Sequence, residues 1–192
     1  MFMDYQKIIE DICREIRPFA EEGKQADYIP ALAKINPDQF GICLRTVDGQ
    51  IYAHQQADTR FSIQSIAKVF AIAIALSLRG EQIWKKVGKE PSGTAFNSLV
   101  QLEIEKGIPR NPFINAGAIV VADILISELD DPEGEFLNFV RTLCKDDTIS
   151  YNEEVAYSER EHGYLNAAIA NILKYHGTIE NDTEDVMLLY FK

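Results

Sequence analysis

Ser65 and Lys68 are the two residues of this sequence best suited to chemistry. They stand in Phe61-Ser62-Ile63-Gln64-Ser65-Ile66-Ala67-Lys68-Val69-Phe70. A spacing of three places both side chains on one face of a helix. The helical pattern begins near Ser62, so Ser65 is expected in the first turn, where N–H groups are unpaired and the dipole is positive. An acyl-transfer nucleophile needs those conditions. The alkoxide is stabilised, and its own N–H can donate to a tetrahedral oxyanion. A serine hydroxyl also needs a base. Lys68 serves when neutral, and burial against Val69, Phe70 and neighbouring helices, with the positive helix end, is expected to lower its pKa. Two alternatives stay open at this point. Ser62 as a cap would occupy the Ser65 N–H, and an amphipathic helix with one snorkelling lysine would look the same. Against the second, Lys68 interrupts an otherwise apolar run. The S-D-N and K-T-G elements that accompany S-x-x-K in some serine enzymes are absent.

Four more polar residues sit in apolar company: Asn115, Glu159, Asn166 and Tyr190. Each alone reads as a cap or a satisfied core group. Together they supply an anion, two amides and a phenol. That set suits the zwitterionic end of an amino acid, since a carboxylate accepts from an ammonium and amides donate to a carboxylate.

These residues need elements to position them. Ile8, Ile9, Ile12, Ile16 and Phe19 recur at helical spacing, with Pro18 near the end of that helix. A loop carries Tyr28-Ile29-Pro30. Phe40 to Thr46 and Ile51 to Gln55 read as a hairpin around Asp48-Gly49. The Ser65 helix runs to a stop at Gly80. Gly88 to Gly93 is a loop, and a short helix is expected from Leu99 to Lys106. Gly107-Ile108-Pro109-Arg110-Asn111-Pro112 forms a rigid approach to a buried helix, Asn115 to Leu129. Asp131-Pro132-Glu133-Gly134 reads as a turn and Leu137 to Cys144 as a helix. Glu159 is placed just before a helix from Tyr164 to Tyr175, which Gly177 caps. Asp182 or Thr183 caps a last helix containing Val186, Leu189 and Tyr190.

Composition narrows the function. The 192 residues include 30 acidic and 19 basic side chains, a formal charge of −11. That argues against nucleic acid as a partner, which needs a basic patch. Cys13, Cys43 and Cys144 are odd in number and scattered, which argues for a reducing compartment over a disulfide framework. His54, His162 and His176 lack zinc-site spacing, so no metal is expected. The opening Met1-Phe2-Met3-Asp4-Tyr5-Gln6-Lys7 lacks a leader-like apolar region. The apolar run Val69 to Leu78 is too short for a membrane span. A cytoplasmic protein with no membrane partner is expected.

Five stretches resemble the glutaminase family. They are Tyr28-Ile29-Pro30-Ala31-Leu32-Ala33-Lys34, Gln64-Ser65-Ile66-Ala67-Lys68, Gly88-Lys89-Glu90-Pro91-Ser92-Gly93, Pro109-Arg110-Asn111-Pro112-Phe113-Ile114-Asn115-Ala116-Gly117-Ala118, and Tyr157-Ser158-Glu159 through Asn166-Ala167-Ala168. They run in order from about Asp27 to Lys192. The resemblance implies a mixed α+β, β-lactamase-like fold, with a mainly helical lobe packed on an incomplete antiparallel sheet. It implies that 1–192 is a single glutaminase domain. Residues 1–83 would hold the N-terminal helix, hairpin and catalytic helix, 84–173 the helical lobe, and 174–192 the start of a return to the sheet. It implies hydrolysis of L-glutamine through a γ-glutamyl ester on Ser65, with Lys68 as base. Tyr28, Gln64, Asn115, Glu159, Asn166 and Tyr190 would line the substrate pocket. Glu159 would hold the α-ammonium, and the asparagines would help hold the α-carboxylate. No cofactor is expected, and a homo-oligomer is.

The family extends well past this length, into further strands, a second active-site tyrosine and a second oxyanion N–H. The uncapped last helix and the lone hairpin also lead us to expect a C-terminally truncated member. Loss of one oxyanion donor typically costs 10²–10³ in rate. The chain alone is therefore expected to be weakly active or inactive. Two competing readings are a β-lactamase-like or peptidase-like enzyme and a catalytically dead amino-acid-binding or interaction module. Ser65→Ala separates the module from the hydrolase. It should abolish ammonia release while sparing ligand binding in a hydrolase, and change nothing in a module.

Overall fold

The computed structural model describes residues 3–192. Met1 and Phe2, which open the segment read as lacking a leader, lie outside the described residues, as does the side chain of Glu21. The chain forms two compact units that meet in sequence between Ser62 and Ile63.

In the first unit, helix α1 (Tyr5–Ile16) begins at Asp4, whose carboxylate accepts from the Lys7 N–H at 3.0 Å. The helix buries Ile9 and Cys13. Pro18 does not end the helical path, because a 3-10 turn over Arg17–Glu22 accepts it near its start. The Tyr28-Ile29-Pro30 loop leads into a one-turn helix, α2 (Pro30–Ala33), with proline at its first position. Strands β1 (Gly41–Arg45) and β2 (Ile51–Gln55) pair antiparallel with Cys43 opposite Ala53. Each strand alternates exposed and half-buried residues, the period-2 pattern of a sheet with one covered face. Helix α1 supplies the cover, and its Gln6 amide reaches the Ala53 carbonyl at 3.2 Å. Gly49, at φ 90°, donates its N–H to the Thr46 carbonyl and closes the hairpin. That backbone conformation strains any residue with a Cβ.

The second unit is helical. Its core is α5 (Asn115–Glu128), in which every residue from Ala116 to Leu125 is buried. The sequence offers no polar stripe there, and a helix apolar on all sides must be covered on all sides. Helices α3 (Ala67–Arg79), α8 (Tyr164–Tyr175) and α9 (Thr183–Phe191) supply that cover. Gly117 lets the preceding segment cross the start of α5, because a Cβ there would lie 1.9 Å from the Asn111 carbonyl oxygen. Helix α4 (Leu99–Ile104) is shorter than its pattern predicts.

Two further helical segments of this unit differ from the sequence reading. Asp131-Pro132-Glu133-Gly134 is the first turn of α6 (Pro132–Cys144), not a separate turn. Asp131 accepts from the Gly134 N–H at 3.0 Å, and Pro132 takes the first helical position. Proline needs no hydrogen-bond partner there, so Asp-Pro opens a helix as readily as a turn. Glu159 does not precede a helix but lies inside one, α7 (Glu153–His162), capped by Asn152. At the end of α8, Gly177 donates to Lys174 and Thr178 to Leu173, a Schellman ending at the expected place. Asp182 caps α9, accepting from the Glu184 N–H at 2.8 Å. Among the described residues no helix is long and apolar enough to cross a membrane.

A buried carboxylate ties this unit together. Asp123 of α5 is fully buried. Its Oδ1 accepts from the main-chain N–H groups of Glu180 and Asn181 at 3.0 and 2.9 Å, and from the Asn181 amide at 2.9 Å. Its Oδ2 has no hydrogen bond, but the Lys86 ammonium lies 3.5 Å away as an ion-pair partner. Removing the carboxylate leaves several part-buried donors unpaired and the Lys86 ammonium without its buried partner. Asp123→Ala should therefore lower the unfolding free energy by about 3–5 kcal/mol. Urea titration of the two proteins checks this, and an unchanged midpoint would refute it.

Candidate functional site

The stretch carrying Ser65 is a 3-10 turn, Gln64–Ile66, that passes into α3 at Ala67. Ser65 therefore precedes the α-helix instead of occupying its first turn. Gln64 sets this apart from a plain helix start, with φ at +48°, in the left-handed region. The first main-chain bonds run from Ile66 to Ile63 and from Ala67 to Gln64, so the Ser65 N–H lies ahead of the ladder. The residues that open the two segments, Ile63 and Ile66, carry no side-chain cap bond. Ser65 is exposed.

Lys68, the second residue of α3, is buried, with 9% of its surface exposed. Its Nζ donates to the Asn115 Oδ1 at 2.8 Å and to the Phe113 carbonyl at 3.1 Å. Burial lowers its pKa to about 8, and the nearby charge of Glu159 opposes that shift. Val69, expected to help bury the amine, points outward and is half exposed. The cover comes from the segment entering α5 instead.

Asn115 opens α5 and takes part in two contacts at once. Its Oδ1 faces Lys68, and its Nδ2 donates to the Asn166 Oδ1 at 3.0 Å. Asn166 lies in the first turn of α8. Glu159 of α7 is half-buried. Burial holds its carboxyl above the usual range, while a hydrogen bond from Gln64 and the charge of Lys68 pull it back. Gln64, Lys68, Asn115, Glu159 and Asn166 are thus brought together by contacts or by charge. Tyr190, on α9, packs at the edge of the hydrophobic core with its ring 5.4 Å from that of Phe191. Tyr28 belongs to the first unit, where it is exposed ahead of α2. Among the described residues there is no group of side chains suited to holding a metal.

The sequence reading missed the Phe113 carbonyl. A main-chain acceptor leaves no signature in residue type, and only the segment around it, Pro112-Phe113-Ile114-Asn115, stood out. Chemically, the cluster offers a hydroxyl, an amine with lowered pKa three residues on, a half-buried carboxylate that accepts from the Gln64 amide, and a pair of asparagine amides. Those are the parts of an acyl-transfer site joined to an amino-acid-binding site.

The family model described as Glutaminase matches residues 23–192. A glutaminase of Aliarcobacter butzleri (strain RM4018) is 51% identical over 191 residues, covering 99% of this chain and 63% of the relative. One of Yersinia pestis bv. Antiqua (strain Nepal516) is 55% identical over 185 residues, covering 96% and 60%. A solved structure of a probable glutaminase from Bacillus subtilis, complexed with 6-diazo-5-oxo-L-norleucine, superposes with a TM-score of 0.81 at 32% identity. It covers 100% of this chain and 59% of that one. The chain thus spans about three fifths of the length of these relatives. Its mixed α+β architecture is that of the β-lactamase-like class that the sequence resemblance implied. With a family match over most of its length and relatives at half identity or better, the chain belongs to the glutaminase family.

Proposed function

We propose that this chain carries the nucleophile and base of an enzyme that hydrolyses L-glutamine to L-glutamate and ammonia. The observation that carries the reading is the state of Lys68. Its amine is buried, has a pKa near 8, and is fixed by two acceptors three residues from Ser65. A neutral amine has two N–H donors and one lone pair. Phe113 and Asn115 accept from the donors, which leaves the lone pair for the Ser65 hydroxyl. Ser65 Oγ attacks the side-chain carbonyl carbon of glutamine as its proton passes to Lys68. The Ser65 N–H donates to the oxyanion. Collapse breaks the C–N bond, and Lys68 returns the proton to departing ammonia. Water then attacks the ester, again giving a proton to Lys68, which passes it to Ser65 as glutamate leaves. The reaction balances with water as the only co-reactant.

The same cluster accounts for substrate recognition. Glu159, steadied by Gln64, would accept from the α-ammonium. The Asn115 amide is engaged at both ends, so Asn166 would supply the donor to the α-carboxylate. Tyr190 would add to the pocket wall, and Tyr28 keeps the role that the family resemblance gives it. The family match begins at residue 23, inside the first unit, which supports assigning both units to one glutaminase domain. We extend the reading to a homo-oligomer, on the family resemblance, and to a cytoplasmic setting, on the three scattered cysteines.

Ammonia release from L-glutamine tests the proposal, measured for the 192-residue chain beside a version extended to the length of its relatives. Turnover by the extended protein, lost in Ser65→Ala, supports it. Silence from both folded proteins overturns it. A second prediction concerns pH. Because Lys68 acts only when deprotonated, kcat/KM should rise with pH through a midpoint near 8 and level off above it. A profile flat between pH 6 and 9, on the scale set by the lowered pKa of about 8, would remove Lys68 from the role of base.

A further inference from the structure

Lys68 leans on a main-chain carbonyl, so something must hold that carbonyl in place. The segment concerned is Pro109 to Asn115. Asn111 sits in its middle, and its side chain makes three contacts. Its Oδ1 accepts from the N–H groups of Phe113 and Ile114, at 3.0 and 3.1 Å. Its Nδ2 donates to the Glu90 carbonyl at 2.8 Å. The first pair forms a side-chain turn that fixes the main chain over two residues, the usual use of asparagine in tight turns. The third joins this turn to the loop after Val87. Main-chain bonds reinforce the joint. Gly88 donates to Pro109 at 2.7 Å, Glu90 to Arg110 at 2.8 Å, and Asn115 to Phe96 at 2.9 Å. The Asn111 carbonyl in turn lies against Gly117 of α5.

We infer that Asn111 is a positioning residue for the proposed reaction, one that acts through the Phe113 carbonyl to hold the Lys68 amine in line with Ser65. Nothing in its position brings it to the reacting atoms. It touches the peptide unit that Lys68 touches, from the opposite side. Without the turn, the Phe113 carbonyl loses its orientation, and one of the two acceptors that aim the amine is lost. The same loosening opens the cover over Lys68 to water. Asn115 would remain, because its main chain is held by Phe96 and its side chain by Asn166.

The inference rests on the proposed function for its meaning, but its test does not need turnover. Lysine labelled with 13C at the ε carbon lets the Lys68 titration be followed by NMR in the 192-residue chain. The Lys68 signal is the one missing from Lys68→Arg. The charged group that faces Lys68 is Glu159 on α7, which every variant keeps. In the parent protein the signal should titrate near 8. In Asn111→Ala it should move up toward the ordinary lysine value of about 10.4, as water reaches the amine. Asn111→Ser, neutral and still able to accept from the turn, should restore part of the shift and serves if the alanine variant fails to fold. In the family-length version, Asn111→Ala should lower kcat on the order of 10²-fold with little change in KM. A folded Asn111→Ala with the parent Lys68 titration overturns the inference, whatever its activity, and where only Asn111→Ser folds, the parent titration in that variant does so. A shifted titration with no glutamine turnover by any version would leave the positioning role standing and remove the proposed function instead.

Discussion

An amine taken out of water must either lose its proton or find partners that replace the solvent. Lys68 does part of both, and much of the second unit serves that compromise. Helix α3 can carry it inward because α5 offers a largely apolar surface to pack against. The segment leading into α5 can lie over the amine only because Gly117 allows the close crossing. The two acceptors come from the far side of that crossing, one a main-chain carbonyl and one the first side chain of α5.

The same burial acts on Glu159 with opposite sign. Desolvation disfavours the charged form of each group, so it lowers the lysine and raises the carboxyl, and each charge partly restores the other. Neither group is therefore at rest with respect to a ligand. An ammonium placed beside Glu159 would relieve the carboxylate and weaken its pull on Lys68. In the proposed site, binding and the readiness of the base would be linked through that one pair.

Some of this was legible in the sequence. The Ser65–Lys68 spacing carries information because a lysine in an apolar run needs a reason. The buried helix α5 was plain from the run Ala116 to Leu125, small or branched at every position but Asp123. Helix α7 was not, because Glu153–His162 buries only Val155, Ala156 and Ser158, too few to set up a periodic signal. Only its cap at Asn152 could have marked it. The Asp131-Pro132 start of α6 failed for another reason: aspartate and proline favour turns and helix starts alike. The 3-10 start before α3 turns on the backbone angle of Gln64, which residue type does not announce. The contacts of Asn111 depend on carbonyls brought close by tertiary packing, beyond the reach of any local pattern.

Gln64 is one of four described residues other than glycine with φ in the left-handed region, beside Gln55, Lys106 and Lys145. A side chain with a Cβ resists that conformation, at a strain of about 1–3 kcal/mol. Glycine would relieve it. Yet glycine would also remove the amide that donates to Glu159. At the residue just ahead of Ser65, the backbone and the side chain therefore ask for different amino acids. Under the proposed function, selection for stability and selection for ligand affinity would favour different residues at this position.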